Sequence, residues 1–139
     1  MAKVLIVYVT TTGNTEKMAG IISESAKAAG ADVTCKTVGE ASVSELAGYD
    51  VIAFGSPAMG AEVLEEAEMD PFFSEAAGSL SGKKVALFGS YDWGDGEWLR
   101  TWEDRCKEAG AEVVATVKAH LEPDDDATAE CKEFGKKLA

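Results

Sequence analysis

The sequence predicts an α/β protein, a parallel sheet with helices on both faces. Two observations carry that expectation. The runs Val4–Val9, Val51–Phe54 and Val85–Phe88 are almost uninterrupted apolar segments, the pattern of strands covered on both faces. Between such runs lie stretches with helical periodicity or helix punctuation, joined by pieces of only a few residues, so that strands and helices alternate along the chain.

Taken in order, residues 3–9 form the first strand. Residues 14–29 follow as a helix with Met18, Ile22, Ala26 and Ala29 on one stripe, and Gly30 is placed to end it in a left-handed turn. Residues 31–38 read as a second strand, more polar than the first and so expected at an edge. Gly39–Gly48 is a loop or short helix carrying Val43 and Leu46, and a third strand, Asp50–Ser56, stops at Pro57. The glutamate-rich stretch Ala58–Met69 has no clear period. Asp70-Pro71 then has the form of a helix start, an acid at the N-cap and proline at the first helical position, for a helix to about Ala77. Lys83–Ser90 is the fourth strand, Tyr91–Gly96 a glycine-rich loop, and Glu97 to about Ala109 a helix closed by Gly110. Glu112–Val117 is the fifth strand. Asp124, Asp125 and Asp126 open a last helix whose Lys136 and Lys137 suit the negative end of its dipole. No repeat, linker or low-complexity tract interrupts this order, so residues 1–139 are expected to make one domain.

Composition narrows the class. A chain of 139 residues, 46% hydrophobic and 27% charged, is long enough to bury a core and ordinary for a soluble globular protein. Its longest apolar runs are about six residues, far short of a membrane span. Met1-Ala2-Lys3 leads directly into the first strand, so a signal peptide is not expected. Cys35, Cys106 and Cys131 are odd in number and widely spaced, so reduced thiols in a cytoplasmic protein are expected. The single His120 is distant in sequence from every cysteine and offers little for a zinc site. A net charge of −12 repels nucleic acid and anionic membranes and suits a basic partner protein.

In a parallel α/β sheet every strand-to-helix loop emerges at one edge, and ligands bind there where the strand order reverses. Thr10–Thr15, Ser56–Asp70 and Ser90–Glu97 therefore become neighbours. The first, Thr10-Thr11-Thr12-Gly13-Asn14-Thr15, offers helix-start amides and short side-chain donors, and by itself suits either an anion or a redundantly capped helix. The second begins Pro57-Ala58-Met59-Gly60, a soft thioether beside a permissive glycine. The third sets Tyr91 and Trp93 between Ser90 and Gly94. Together they describe a site for an aromatic ring carrying a phosphate. Trp98 and Trp102, four apart and continuing to Cys106 and Ala109, are instead a helix packing face. Trp93, flanked by Asp92 and Gly94, is favoured as a ligand wall over a plug in the core; Met59 alone would be a core residue and gains weight only through its neighbours.

Other chemistries lack their residues. There is no Gly-x-x-x-x-Gly-Lys-Ser/Thr, and Gly94-x-Gly96 has Leu99 where a dinucleotide fingerprint needs its third glycine. The first and third strands end in Thr10 and Ser56 rather than in phospho-accepting aspartates, and no Ser/His/Asp set is present. The bound ring itself would have to be the reactive part.

At these residues the chain resembles a known family. Tyr8-x-Thr10-x-Thr12-Gly13-Asn14-Thr15-Glu16 resembles the phosphate loop of the flavodoxins. Pro57-Ala58-Met59-Gly60 and Gly89-Ser90-Tyr91-Asp92-Trp93-Gly94 resemble the two flavin-flanking loops of their short-chain members. The resemblance runs from Lys3 to about Leu138, and the long-chain insertion in the fifth strand is missing. It implies a five-stranded sheet in the order 2-1-3-4-5 with FMN in the crevice between strands 1 and 3, a placement already general for the family. It also implies one non-covalent FMN in a low-potential, monomeric electron carrier that is not an enzyme. Such a carrier would shuttle between semiquinone and hydroquinone, and its partners would be the basic surfaces of reductases and low-potential acceptors. By position, Thr10, Thr12, Asn14 and Thr15, with the amides between them at Thr11 and Gly13, would hold the phosphate. Met59 would cover one face of the isoalloxazine and Trp93 the other. Gly60 would supply the peptide that turns its carbonyl toward flavin N5–H on one-electron reduction, Glu62 would bond N3, and Gly89 and Asp92 would line the pyrimidine side. Ser56, Pro57, Ala58, Ala61, Ser90, Tyr91 and Gly94 complete the loops. Ala61 replaces the usual aspartate, asparagine or serine and removes any side-chain help to that turn. Asp92 replaces a frequent glycine and adds negative charge. An FMN-dependent reductase of the same fold, or a flavin-dependent activator of a partner enzyme, is the alternative; the short chain argues against the first and the loop motifs against the second.

The phosphate loop holds no lysine or arginine, and Lys17 is the nearest cation in sequence. Glu62, Glu65, Glu66, Glu68, Asp70, Asp92, Asp95, Glu97, Glu122 and Asp124–Asp126 fall at the same edge, while Lys27, Lys83, Lys84, Lys107, Lys136 and Lys137 fall toward the other. Helix-dipole complementarity explains part of this pattern. It leaves Glu62–Glu68 unexplained, and the expected consequence is a lowered second flavin potential.

Overall fold

In a computed structural model, which describes residues 2–10, 13–59, 63–64, 67–91 and 96–139, the apolar runs lie side by side in one sheet. Its strands are β1 (Lys3–Tyr8), β2 (Asp32–Thr37), β3 (Val51–Gly55), β4 (Lys84–Tyr91) and β5 (Glu112–His120). They run parallel in the order β2-β1-β3-β4-β5. The helices are α1 (Asn14–Ala28), α2 (Met69–Ala76), α3 (Glu97–Glu108) and α4 (Asp125–Leu138). Expected order and observed order agree, and the polar β2 does lie at an edge.

Alternation of side chains along the central strands builds two different layers. Leu5, Val7, Ile52, Phe54, Val85 and Leu87 meet Phe72, Phe73, Trp98 and Trp102 of α2 and α3. On the other face Val4, Ile6, Ala53, Ala86 and Phe88 meet Met18, Ile22, Cys131 and Phe134 of α1 and α4. Each fully buried side chain of this size contributes about 1.5–3 kcal/mol. Two glycines set close approaches. A β-carbon at Gly55 would fall 2.2 Å from the Phe88 ring, and one at Gly135 would fall 2.7 Å from the Ile22 carbonyl oxygen. The second lets α4 lie against α1, where Ser25 Oγ donates to the Lys132 carbonyl at 2.5 Å.

Several boundaries differ from the sequence expectation. β5 continues to His120 because it is the outer strand: Ala115, Val117 and Ala119 are buried while Thr116, Lys118 and His120 are exposed. α2 begins at Met69 with Glu68 at its N-cap, which puts Asp70 inside the first turn. The Asp70 carboxylate pairs with Arg105 at 2.9 Å instead of capping. Residues 38–48 hold two short 3-10 turns, Val38–Glu40 and Val43–Gly48. Glu40 accepts from the Thr37 amide at 3.1 Å and Glu45 from the Ser42 amide at 2.8 Å, the sequence-local signature of a helix start. After Pro57, Ala58–Met59 pairs antiparallel with Val63–Leu64. Cys35 is exposed, Cys106 and Cys131 are buried, and all three are free thiols. Burial pushes Cys106 and Cys131 each up to about 12, which leaves them inert. Among the described residues no helix is long and apolar enough to cross a membrane.

Candidate functional site

The ends of β1, β3 and β4 come together. Val9 N–H donates to the Gly55 carbonyl at 2.9 Å, and Ser56 N–H to the Phe88 carbonyl at 3.1 Å. The chain therefore leaves all three strands at one edge. After β1, Thr10 Oγ1 accepts from Gly13 N–H at 3.0 Å. Gly13 has φ +91°, a left-handed conformation that favours glycine. In α1 the Lys17 amide bonds the Gly13 carbonyl at 3.0 Å. The amides of Asn14, Thr15 and Glu16 precede that ladder and stand at the positive end of the helix dipole. Beneath them Thr15, 1% exposed, sets its Oγ1 3.4 Å from Oγ of Ser90, which is 4% exposed. One buried hydroxyl pair thus ties the first loop to the end of β4.

A second tie joins β3, β4 and α3. Ser56 is fully buried, and its Oγ donates to the Pro57 carbonyl at 3.0 Å. A β-carbon at position 89 would lie 1.9 Å from the Ser56 carbonyl oxygen and 3.1 Å from the Trp98 ring, so glycine is required by this close approach. Trp98 Nε1–H donates to the same Ser56 oxygen at 3.3 Å. Tyr91 lies between Trp98 and His120, with ring centroids 5.7 Å and 5.1 Å away.

Charge at this edge is mostly negative and partly engaged. Lys17 pairs with Glu122 at 2.6 Å, which links α1 to the segment after β5. Asp124 caps α4 by accepting from the Ala127 amide at 2.8 Å. The Tyr8 hydroxyl donates to Glu16 at 3.2 Å; burial and then the Glu16 carboxylate push its pKa up to about 12, so it stays a neutral donor. A second cation also reaches the edge among the described residues. Lys118 of β5, opposite Gly89 in the sheet, lies so close to Gly96 that a β-carbon there would meet its Nζ at 2.8 Å. The segregation of charge read from the sequence is therefore incomplete.

Of the residues expected at the site, Thr10, Gly13, Asn14, Thr15, Ser56, Pro57, Gly89, Ser90 and Tyr91 are gathered at this edge, and Ala58 and Met59 follow in the short antiparallel ribbon. Thr11, Thr12, Gly60, Ala61, Glu62, Asp92, Trp93 and Gly94 lie outside the described residues, as do Glu65, Glu66 and Asp95. Thr15, Ser56 and Ser90 are floor rather than surface, since their side chains are buried. Trp98 packs as expected, but its bond to Ser56 was not legible, because nothing in the sequence distinguishes it from Trp102. Among the described residues no cluster of histidine, cysteine and carboxylates could hold a metal ion.

Comparison with known proteins agrees with this geometry. The family model described as Flavodoxin matches residues 6–135. The flavodoxin of Clostridium beijerinckii is 48% identical over 134 residues, 96% of this chain and 97% of that protein. The flavodoxin of Megasphaera elsdenii is 48% identical over 134 residues, 96% of each chain. The solution structure of the two-electron reduced M. elsdenii protein superposes with a TM-score of 0.92 over 97% of each chain. The described residues fit FMN: neutral hydroxyls and the helix-start amides of α1 suit a phosphate. When bound, FMN supplies the one-electron redox chemistry that no side chain here possesses. The chain belongs to the flavodoxin family, as a short-chain member that binds FMN and carries electrons to partner proteins.

Proposed function

We propose that the chain acts as one domain and as a low-potential one-electron carrier, monomeric and cytoplasmic, serving partners with basic faces and converting no substrate of its own. The observation that supports this best is the neutral anion cradle at the head of α1. Its described donors are hydroxyls and amides, and Lys17, the nearest cation in sequence, is turned to Glu122 instead. In this reading Thr10, Thr11, Thr12, Gly13, Asn14 and Thr15 hold the phosphate. Met59 and Trp93 flank the ring, and Gly60, Ala61, Glu62, Gly89 and Asp92 border its edge. A phosphate held only by neutral donors keeps its charge, and neighbouring acids add to it. Each acid at ~10 Å, with an effective dielectric of ~20, opposes a further negative charge by ~1.7 kcal/mol, or ~0.6 kcal/mol after screening over one Debye length. At ~59 mV per tenfold change for one electron, this is about 25 mV per acid, so several acids lower the second potential by ~100 mV. Lys118 offsets part of that sum.

The test is spectroscopic. Purified protein is expected to be yellow, and its apoprotein to quench the fluorescence of added FMN with one-to-one stoichiometry. The second potential is expected to rise by tens of millivolts between low and high salt, as screening removes the acids' effect. A chain that leaves FMN fluorescence unquenched sinks the reading, and steady turnover of a nicotinamide cofactor without a partner protein would replace the carrier with an enzyme.

A further inference from the structure

Trp98 and Trp102 stand one turn apart on α3, each 1% exposed, yet their indole N–H groups meet different environments. Trp102 Nε1 is buried with no acceptor among the described residues, between the rings of Phe54 and Phe73. Trp98 Nε1 donates to the Ser56 carbonyl, the last one before the Pro57–Gly60 segment. The same indole lies where a β-carbon at Gly89 would strike it, and it packs on Tyr91, the residue at which the third loop departs. A tryptophan retained only to fill the core needs none of these relations, as Trp102 demonstrates.

We infer that Trp98 is a positioning residue for electron transfer: through one hydrogen bond and one ring face it fixes the starting points of both loops that flank the flavin. The proposal rests on the FMN-carrier reading above. Its chemistry is local. The carbonyl of Ser56 is buried, so its orientation is set by the donors it finds, and an amide plane held at one end restricts the peptides that follow. Gly89 is the complement, since any side chain there would push the Ser56 carbonyl off the indole. Trp98 does not touch the reacting atoms; it sets where Pro57–Gly60 and the segment after Tyr91 begin.

The experiment compares Trp98→Phe with Trp102→Phe, two equal truncations on one helix. Both are expected to lower the melting temperature. Only Trp98→Phe is expected to change FMN affinity unequally in the oxidised and reduced states, by about fivefold, and so to move the midpoint potentials. In apoprotein, hydrogen exchange at Ala58, Met59 and Tyr91 should quicken in Trp98→Phe and not in Trp102→Phe. Equal effects of the two variants on potentials and exchange would reduce Trp98 to a core filler and overturn the proposal. If Trp98→Phe does not fold, the wild-type indole 15N–H resonances decide. That of Trp98 should shift on FMN titration and again on reduction while that of Trp102 does not, and a Trp98 resonance that ignores FMN overturns the proposal. Wild-type protein that takes up no FMN overturns the carrier reading itself, whereas normal wild-type uptake with unmoved variant potentials overturns only the role of Trp98.

Discussion

Where the strands of the sheet begin, charged groups tie down the backbone. Lys83 Nζ donates to the carbonyls of Leu46 at 3.2 Å and Tyr49 at 2.8 Å, and Asp50 accepts from the Lys3 amide at 2.9 Å. Where the strands end, Thr10, Thr15, Ser56 and Ser90 contribute neutral hydroxyls, and the first amides of α1 stand ahead of its ladder. A full charge on a backbone group makes a strong, self-contained contact. Neutral donors at a helix start leave the edge able to receive an anion without cancelling its charge. The same strands thus carry one end tied by charged side chains and another lined by neutral ones, and the side chains just beyond each terminus make the difference.

The sharpest way to break this contrast is at the neutral end. Gly89→Val must displace either β4 or Ser56, because the first added carbon lies 1.9 Å from a backbone oxygen. FMN affinity is expected to fall at least 100-fold, and stability by about 2–3 kcal/mol, measured by fluorescence titration and urea unfolding. At the end tied by charge, Lys83→Met takes its donor from the Tyr49 carbonyl, while the Leu46 carbonyl keeps the Tyr49 amide. It should cost about 1–3 kcal/mol in urea while leaving FMN affinity within twofold of wild type. Thr15→Val removes one member of the buried hydroxyl pair. About 1 kcal/mol of stability should go with it, together with several-fold in FMN affinity, a combination not expected of Lys83→Met. Asp124→Ala loses the α4 cap for about 1 kcal/mol and, as one acid fewer at this edge, raises the second potential by at most about 25 mV.

The smallest effect is one of pH. The bond to Lys36 and the Ser42 amide hold Glu45 below the usual carboxylate range. Its contribution is therefore complete above the ordinary glutamate pKa and is lost as pH falls through the depressed one. Glu45→Gln should lower stability at neutral pH, where the contribution is complete, and converge with wild type as pH falls below about 4, as followed by thermal melts across the acid range.

Much of this architecture was legible because burial on both faces writes itself as unbroken apolar runs, as in Val4–Val7 and Val51–Phe54. The edge strand β5 was cut short at Val117, since its last covered residue, Ala119, is too small to mark a period beside Lys118 and His120. Asp70-Pro71 resembled a helix start because either residue suits the first turn; Arg105, 35 positions away and silent in local pattern, claims the carboxylate instead. Thr37-x-x-Glu40 and Ser42-x-x-Glu45 carried a readable signal that short 3-10 turns also use. The loop residues of the site were recognisable by motif. The contacts beneath them, Thr15 to Ser90 and Trp98 to Ser56, join positions 75 and 42 apart and have no local signature.

The close seating of α4 on α1 bears on how the protein is made. Ser25 and Lys132, 107 residues apart, touch where Gly135 lets the helices meet. During synthesis α1 emerges long before α4 exists, and Met18 and Ile22 wait with one side uncovered. The helix that presents its amides to the phosphate therefore reaches its final support late in translation. FMN should load onto chains whose α4 has already been made and docked rather than onto shorter nascent ones.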